Sequence, residues 1–305
     1  MEVEALTARL RKFVPSPVRG ALKGVRSVAR GVSRRLLPQT DCDRLAHELR
    51  DAGIRAGDTL FVHSSLSRVG NVQGGAATII DALVSAVSER GNVVMPAYGS
   101  AEEAIAGSRC GKPVDLRTEP SQTGKITEAF RRMPGVVRSS HPFASACAIG
   151  PEAGFLTEAH ESNEKICHPN SPLARLLDLY AKIVGLGVSL GPVSFYHVVE
   201  DTWDGFPFKT YAPPVEVTYL DAQGNSVTRL VAYYDRKITP RRIDSDGGIA
   251  VRHFMNEHFR RVGILHEFQF GEAASWWMAA TEMYEELKRL AAAGTTIYAR
   301  DETSA

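Results

Sequence analysis

Three short apolar segments, each ending in small or polar residues, constrain the fold of this chain more than any other feature. They are "TLFVHSSL" (59–66), "GNVVMPAYG" (91–99) and "AKIVGLGVSL" (181–190). Segments with the apolar spacing of a helix stand between them, such as "GGAATIIDALVSAVSE" and "SPLARLLDLY". This alternation of buried strand, loop and amphipathic helix predicts an α/β fold whose sheet is covered by helices on both faces.

The second half of the chain has a different pattern. The segment 214–235, "PVEVTYLDAQGNSVTRLVAYYD", predicts an antiparallel hairpin with Gly224 and Asn225 near its turn. The segments 249–264 and 272–294 predict two late helices, and the polar, poorly periodic segment 100–122 predicts a loop. We therefore expect a single domain over 40–305 with an inserted hairpin region near 211–235.

The first 38 residues form a basic segment with interleaved apolar residues. Pro15, Pro17 and Pro38 favour a broken helical arm over 1–39 rather than one long helix. One hypothesis is that the arm packs on its own domain or on a neighbouring subunit of a homo-oligomer. The alternative is that residues 1–38 lie on an anionic membrane surface. The basic residues are Arg9, Arg11, Lys12, Arg19, Lys23, Arg26, Arg30, Arg34 and Arg35.

Composition narrows the function classes. Lys plus Arg number 36 against 35 Asp plus Glu, so no overall positive field indicates a nucleic-acid partner. The four cysteines form no C-x-x-C pair, which favours a reducing, cytoplasmic compartment over a disulfide framework. No apolar run reaches the ~18 residues of a transmembrane helix.

One histidine is followed by two acids at helical spacing. In "SFYHVVED" (194–201), Glu200 and Asp201 stand three and four residues after His197. On a helix the three side chains share a face, which is typical of a general base with carboxylate partners. The alternative is a surface histidine with two solvated acids. We assign His197 as the base, with Glu200 and Asp201 as catalytic partners whose roles the sequence does not separate.

Four stretches in order resemble the aminoglycoside 3-N-acetyltransferase family, antibiotic N-acetyltransferases unrelated in fold to the GNAT enzymes. They are "VHSSLSRVGNVQGG" (62–75), "PSQTGKITEAFRRMPGVVRSSHPFAS" (120–145), "NSPLARL" (170–176) and "SFYHVVED". The resemblance covers about residues 43–285, and the last box has Asp201 where the family pattern has a second glutamate. It implies acetyl transfer from acetyl-coenzyme A to a primary amine on a sugar. It also implies a three-layer α/β/α sandwich with a mixed sheet, and no metal.

The same resemblance implies where the acetyl-coenzyme A co-substrate binds. Small hydroxyls and exposed backbone N–H groups at the end of a strand can hold a pantetheine arm or a diphosphate, and a helix N-terminus favours an anion. The candidate residues are His63, Ser64, Ser65, Leu66, Gly74, Gly75, Ser121, Thr123, Gly124, Arg138 and Ser139.

The acceptor amine is less constrained. The run "YYDRKITPRRIDSDGG" is basic and has aromatic neighbours, whereas a site for a polycationic antibiotic should be acidic. We therefore favour a nucleotide-linked amino sugar of glycan or O-antigen assembly, with an aminoglycoside antibiotic as the alternative. The candidate substrate residues are Asp204, Tyr233, Tyr234, Arg236 and Arg241.

Two further alternatives come from other classes. "GVSLG" (187–191) matches the nucleophile elbow of serine hydrolases, with Ser189 as nucleophile and Asp244 and His266 in the required order. Against it, Pro192 stands where the elbow's helix should begin. The other alternative is a sugar-binding or coenzyme-binding protein without activity, but such a protein would have no need of His197 and its two acids.

Overall fold

The apolar segments that predict strands form neighbouring strands of one mixed sheet. The computed structural model describes residues 39–299, so the predicted basic arm lies, except for its last residue, outside the described residues. The strands are β1 (Thr59–Ser64), β2 (Asn92–Tyr98), β3 (Val114–Asp115), β4 (Val137–Arg138), β5 (Ala144–Ile149), β6 (Lys182–Leu186), β7 (Val215–Leu220), β8 (Ser226–Val231), β9 (His266–Phe270) and β10 (Ala273–Ala279).

Seven of these strands make the main sheet, in the order β4-β5-β2-β1-β6-β10-β9. The central strand β1 is parallel to β2 and β6, while β4, β5, β9 and β10 pair with their neighbours in antiparallel fashion. A second sheet contains β3, β7 and β8, and its β7–β8 hairpin is the one predicted near 211–235.

Helices cover both faces of the main sheet. They are α1 (Cys42–Asp51), α2 (Leu66–Val69), α3 (Ala76–Val87), α4 (Ala101–Arg109), α5 (Lys125–Arg131), α6 (Ala153–Thr157), α7 (Pro172–Asp178), α8 (Tyr196–Thr202), α9 (Ile249–Val262) and α10 (Ala280–Ala292). Local signals explain several starts: Asp41 caps α1 by accepting from the Arg44 N–H, and Ser171 caps α7 ahead of Pro172.

Strand β1 shows how the two faces are filled. Leu60 and Val62 pack into a core with α1, α3 and α5, and Phe61 packs into the opposite core with α7, α8 and α10. Both cores exclude water, so the central sheet is the middle layer of three. The predicted α/β/α sandwich with a mixed sheet and a small additional β region is confirmed.

Two predictions about elements are wrong. Residues 100–122 are not all loop: Ser100 caps α4 by accepting from the Glu103 N–H, and β3 follows. This helix buries only Ala104 fully, which explains its weak apolar periodicity. Residues 272–294 are not one helix, because the run around Trp276 forms β10 before α10 begins. A short apolar run fits a buried strand as well as a buried helix.

Within residues 39–299, no helix combines the length and the apolar character that crossing a membrane requires.

Candidate active site

A cleft of about 1060 Å³ opens beside the ends of β1 and β2. Residues from β1, β2, the loop after β6, α8 and the loop after β8 line its walls. Ligands of open α/β sheets bind at this carboxyl edge of parallel strands. The polar side chains of the lining are His63, Ser64, Tyr98, Glu102, Arg109, Thr123, Thr127, Ser194, His197, Tyr233, Tyr234, Asp235, Arg236, Thr239, Arg242 and Asp244.

His197 lies in the first turn of α8 and lines the cleft. Its ring is nearly buried, with its centroid 4.4 Å from that of Tyr234. Nδ1 lies 3.0 Å from Oε1 of Glu200, whose side chain is fully buried. The two groups are in close contact, although their angles are not those of a hydrogen bond, and they form an ion pair only when the ring is protonated. A carboxylate behind one ring nitrogen leaves the other nitrogen for a group in the cleft, as a general base requires.

Asp201 faces a different part of the molecule. Its Oδ2 accepts hydrogen bonds from the Cys167 backbone N–H at 2.8 Å and from the Tyr211 hydroxyl at 2.7 Å. It lines a separate depression of about 530 Å³ rather than the main cleft. Burial raises the pKa of Asp201 to about 6, against the opposing effect of its two hydrogen bonds. The structure therefore separates the contacts of Glu200 and Asp201.

The end of β1 brings His63 and Ser64 into the cleft wall. Burial lowers the pKa of His63 to about 4, so its ring is neutral near pH 7. Its Nε2 lies 3.5 Å from the Ser194 hydroxyl, which in turn accepts a 2.7 Å hydrogen bond from Tyr98. The Ser64 hydroxyl is buried and has no hydrogen-bond partner among the described residues.

The other predicted residues that follow β1 are not part of the cleft lining. Ser65 precedes α2, Leu66 begins it, and neither is part of the lining. Gly74 and Gly75 lie before α3 with positive φ angles of 75° and 65°, a backbone conformation that favours glycine.

Residues 121–124 form a hydroxyl cluster next to the cleft. Thr123 lines it, and its Oγ1 donates to the Pro96 carbonyl at 2.9 Å and contacts the Ser121 hydroxyl at 2.7 Å. Ser121 is buried behind Thr123, and Gly124 precedes α5.

Arg138 and Ser139 belong to the scaffold behind this cluster. The Arg138 guanidinium donates to the carbonyls of Ala97, Leu116 and Glu119 and to the Ser145 hydroxyl, at 2.7–3.0 Å. Ser139 is fully buried; its hydroxyl accepts from the Ala146 N–H and lies 2.8 Å from the ring of His160. Neither side chain lines the cleft.

Comparison with known sequences assigns the chain to a family. Residues 61–292 match the sequence model described as aminoglycoside 3-N-acetyltransferase. The chain belongs to the aminoglycoside 3-N-acetyltransferase family. Membership confirms the family and the enzyme class predicted from the sequence, an acyltransferase that acts on amines.

Curated members of the aminoglycoside 3-N-acetyltransferase family align with part of the chain. Aminoglycoside N(3)-acetyltransferase IX of Micromonospora chalcea is 33% identical over 190 residues, which cover 57% of this chain and 67% of that protein. Aminoglycoside N(3)-acetyltransferase VIII of Streptomyces fradiae is 36% identical over 190 residues, which cover 57% of this chain and 66% of that protein. The matched segments thus span about two thirds of these relatives.

Solved structures of the family share the fold over most of the chain. The aminoglycoside acetyltransferase AAC(3)-Xa has a TM-score of 0.75 and 27% identity, covering 90% of this chain and 99% of its own. AAC-IIIb, solved as a binary complex with CoASH, has a TM-score of 0.70 and 25% identity, covering 84% and 96%. AAC-VIa bound to sisomicin has a TM-score of 0.68 and 25% identity, covering 81% and 96%. These relatives favour the antibiotic alternative over the nucleotide-linked amino sugar.

The substrate residues predicted for this family member fall into two groups. Tyr233, Tyr234 and Arg236 line the cleft. Asp204 is exposed and Arg241 donates a 2.7 Å hydrogen bond to the Ala299 carbonyl, and neither is part of the lining.

The geometry around Ser189 differs from a nucleophile elbow. Ser189 is exposed, and the chain continues from it as loop and turn until α8 begins at Tyr196. Of the proposed partners, Asp244 is paired with Arg242 at 2.7 Å, and His266 stacks on the Trp277 ring. The geometry therefore does not support the serine hydrolase alternative.

Several cleft residues were not predicted from the sequence. Tyr98 ends β2 just as Ser64 ends β1, but the search for small hydroxyls at strand ends passed over this larger side chain. Glu102 was not selected as a site residue because the segment that forms α4 was predicted to be a loop. Arg242 belongs to the basic run that the sequence singled out, but its neighbour Arg241 was selected, and only the folded structure shows which of the two lines the cleft.

Within residues 39–299, no group of three or more His, Cys, Asp or Glu side chains is arranged to hold a metal ion.

Proposed function

We propose that this protein is an acetyl-CoA-dependent N-acetyltransferase that acetylates an amino group of an aminoglycoside. The observation that carries the proposal is the nearly buried His197 ring at the cleft wall, with the buried Glu200 carboxylate behind its Nδ1. Family membership supports the reaction class. The CoASH complex of AAC-IIIb and the sisomicin complex of AAC-VIa support the two substrates.

Transfer is direct in this mechanism. The amine nitrogen attacks the thioester carbonyl carbon, the C–S bond breaks, and the coenzyme leaves as its thiol. An amine is mostly protonated near pH 7, so a base must remove a proton before or during attack. An acceptor that binds as an ammonium ion first releases its extra proton to water. His197 then takes the proton of the attacking nitrogen on Nε2, and the Glu200 carboxylate beside Nδ1 stabilises the imidazolium that forms. The imidazolium returns this proton to the leaving sulfur, so coenzyme A departs as its thiol and the ring is neutral again.

The co-substrate lies against the strand-end hydroxyls in this proposal. Ser64 contributes a buried hydroxyl with no partner among the described residues, and Thr123 contributes a hydroxyl on the same cleft. We keep the neighbouring residues as the rest of the coenzyme site, with Arg138 and Ser139 as support behind it. These neighbours are His63, Ser65, Leu66, Gly74, Gly75, Ser121 and Gly124.

The basic run that suggested a nucleotide diphosphate does not give the cleft an excess of positive charge, because its lining has three arginines (Arg109, Arg236 and Arg242) and three carboxylates (Glu102, Asp235 and Asp244). The arginines that suggested a phosphate site have partners: Arg236 pairs with Glu102 at 3.0 Å, and Arg242 pairs with Asp244 at 2.7 Å. Arg241 is bonded to a carbonyl away from the lining. Glu102 and Asp244 are thus already paired with arginines, and Asp235 is a further carboxylate of the lining that can attract an ammonium group. Tyr233 and Tyr234 give the sugar rings an aromatic wall.

An acceptor panel tests the substrate class. Release of coenzyme A thiol from acetyl-CoA is followed with kanamycin-like aminoglycosides and sisomicin, and with UDP- and dTDP-linked amino sugars. We expect thiol release and a mass gain of one acetyl group with the aminoglycosides alone. Ser189→Ala is the matched control and should keep the full rate. Reaction with the nucleotide sugars alone would contradict the proposal that the acceptor is an aminoglycoside. The absence of reaction with any amine would contradict the proposed function.

The cellular location and the assembly of the protein are expectations. Because acetyl-CoA is a cytoplasmic metabolite, we place the enzyme in the cytoplasm. Membrane contact through residues 1–38 and homo-oligomer formation stay predictions.

A further inference from the structure

A tyrosine near the end of the chain contacts the carboxylate behind His197. The hydroxyl of Tyr298 donates a hydrogen bond of 3.1 Å to Oε1 of Glu200. The same oxygen lies 3.0 Å from Nδ1 of His197. Oε1 of Glu200 therefore has the tyrosine hydroxyl and the catalytic ring as two neighbours.

The second oxygen of Glu200 gives the carboxylate little additional support. Oε2 is buried and has no hydrogen-bond partner among the described residues. A buried carboxylate needs donors to stay ionised and in one orientation. Burial, together with the charge of Glu200, raises the pKa of Tyr298, so the phenol keeps its proton and remains a donor.

The segment that carries Tyr298 is held in place by backbone pairing. The Ile243 N–H donates to the Ile297 carbonyl at 2.8 Å, and the Ala299 N–H donates to the Arg241 carbonyl at 2.9 Å. The Tyr298 ring also packs edge-on against Phe208, with centroids 5.4 Å apart. These contacts leave the nearly buried ring little freedom to turn away from Glu200.

We propose that Tyr298 is a positioning residue for the acetyl transfer: its hydroxyl orients Glu200, and Glu200 in turn orients His197. The inference rests on the proposed function of this cleft. Tyr298 lies beyond residues 61–292, the segment that matches the family, so family membership does not assign it this role.

The test is Tyr298→Phe, which removes the hydroxyl and keeps the ring. Tyr219→Phe is the matched control, because Tyr219 is equally buried and its hydroxyl contacts Ser140 at 3.0 Å, away from the cleft lining. We expect kcat of Tyr298→Phe to fall about tenfold, with KM for acetyl-CoA within about twofold of wild type. Without the hydroxyl, the Glu200 carboxylate loses a donor that favours its charged form. The acidic limb of the kcat profile should therefore move to higher pH. Tyr219→Phe should change neither quantity.

A double-mutant cycle separates positioning from general structural damage. Rates are expressed per folded molecule, titrated by coenzyme A binding, so partial unfolding cannot imitate a loss of rate. In a Glu200→Gln background, Tyr298→Phe should cost less than about twofold, because the residue it acts through has already changed. An active wild-type enzyme whose kcat and pH profile are unchanged by Tyr298→Phe would overturn the proposal. An equal loss in both backgrounds would also overturn it. An inactive wild-type enzyme would instead refute the proposed function.

Discussion

Glu200 and Asp201 are neighbours in the chain, but their carboxylates have different partners. One residue along a helix is a rotation of about 100°, so consecutive side chains point in different directions. Glu200 contacts His197 and Tyr298, whereas Asp201 binds the Cys167 backbone and Tyr211. The helical spacing predicted both acids near the base. The packing around α8 then gives Glu200 the contact with His197, and it gives Asp201 the hydrogen bond that holds the segment at Cys167.

Asp201 should make stability depend on pH. Its pKa is about 6 in the folded protein, above the ~3.9 of an unfolded aspartate, so folding favours the protonated form. Its contribution to stability is present below about pH 4 and is lost as the pH rises through about 6. Asp201→Asn removes the charge and keeps a carbonyl acceptor. We expect the unfolding free energy of the variant, relative to wild type, to rise by about 2–3 kcal/mol between pH 4 and pH 7.

Chemical denaturation at several pH values measures this difference. Asp204→Asn is the control, because Asp204 is exposed and should give a flat difference. A difference that falls with rising pH for Asp201→Asn would show that its carboxylate is stabilised, rather than penalised, in the folded protein.

At the scale of elements, Arg138 joins β4 to three other segments. Its guanidinium donates to carbonyls of β2 and of the connection between β3 and α5, and to a hydroxyl of β5. Arg138→Lys keeps the charge but cannot reproduce this set of hydrogen bonds. We expect a loss of about 2–4 kcal/mol in unfolding free energy, with KM for acetyl-CoA changed less than about threefold.

Arg132→Lys is the matched control for Arg138, since its exposed side chain pairs with Glu128 at the surface. It should cost less than about 1 kcal/mol. If Arg138 instead holds a phosphate of the co-substrate, KM for acetyl-CoA will rise at least tenfold while stability stays near that of wild type.

Elements with strong local signals were predictable, and those set by neighbours were not. Strands β1, β2 and β6 are apolar on both faces, because helices cover the central sheet, and they end in small polar residues. The sequence of β10 is as apolar as a buried helix, and its pairing with β6 makes it a strand. Trp276 lies opposite Gly185 of β6, and its ring N–H donates to the Val188 carbonyl. Such partners are distant in sequence and leave no local pattern.

At the scale of the molecule, the cleft brings together polar side chains from distant parts of the chain. His63 lies near the carboxyl end of the central strand β1 and Thr123 lies in the loop before α5, whereas Tyr234 follows the small sheet. His197 was predictable because its box is local and because the surrounding motifs resemble a family. Tyr298 was not, since it lies 98 residues from its partner Glu200 and reaches it through pairing with the segment near Ile243.

The central claim is that His197 removes the amine proton during acetyl transfer in this cleft. The most direct test is the rate of acetyl transfer to an aminoglycoside by His197→Asn, with both substrates saturating and coenzyme A binding measured by calorimetry in parallel. We predict that the rate falls about 10²- to 10⁴-fold, as expected for loss of a general base, while coenzyme A affinity stays within about twofold. A variant that binds coenzyme A normally and keeps at least about a third of the wild-type rate would contradict the mechanism.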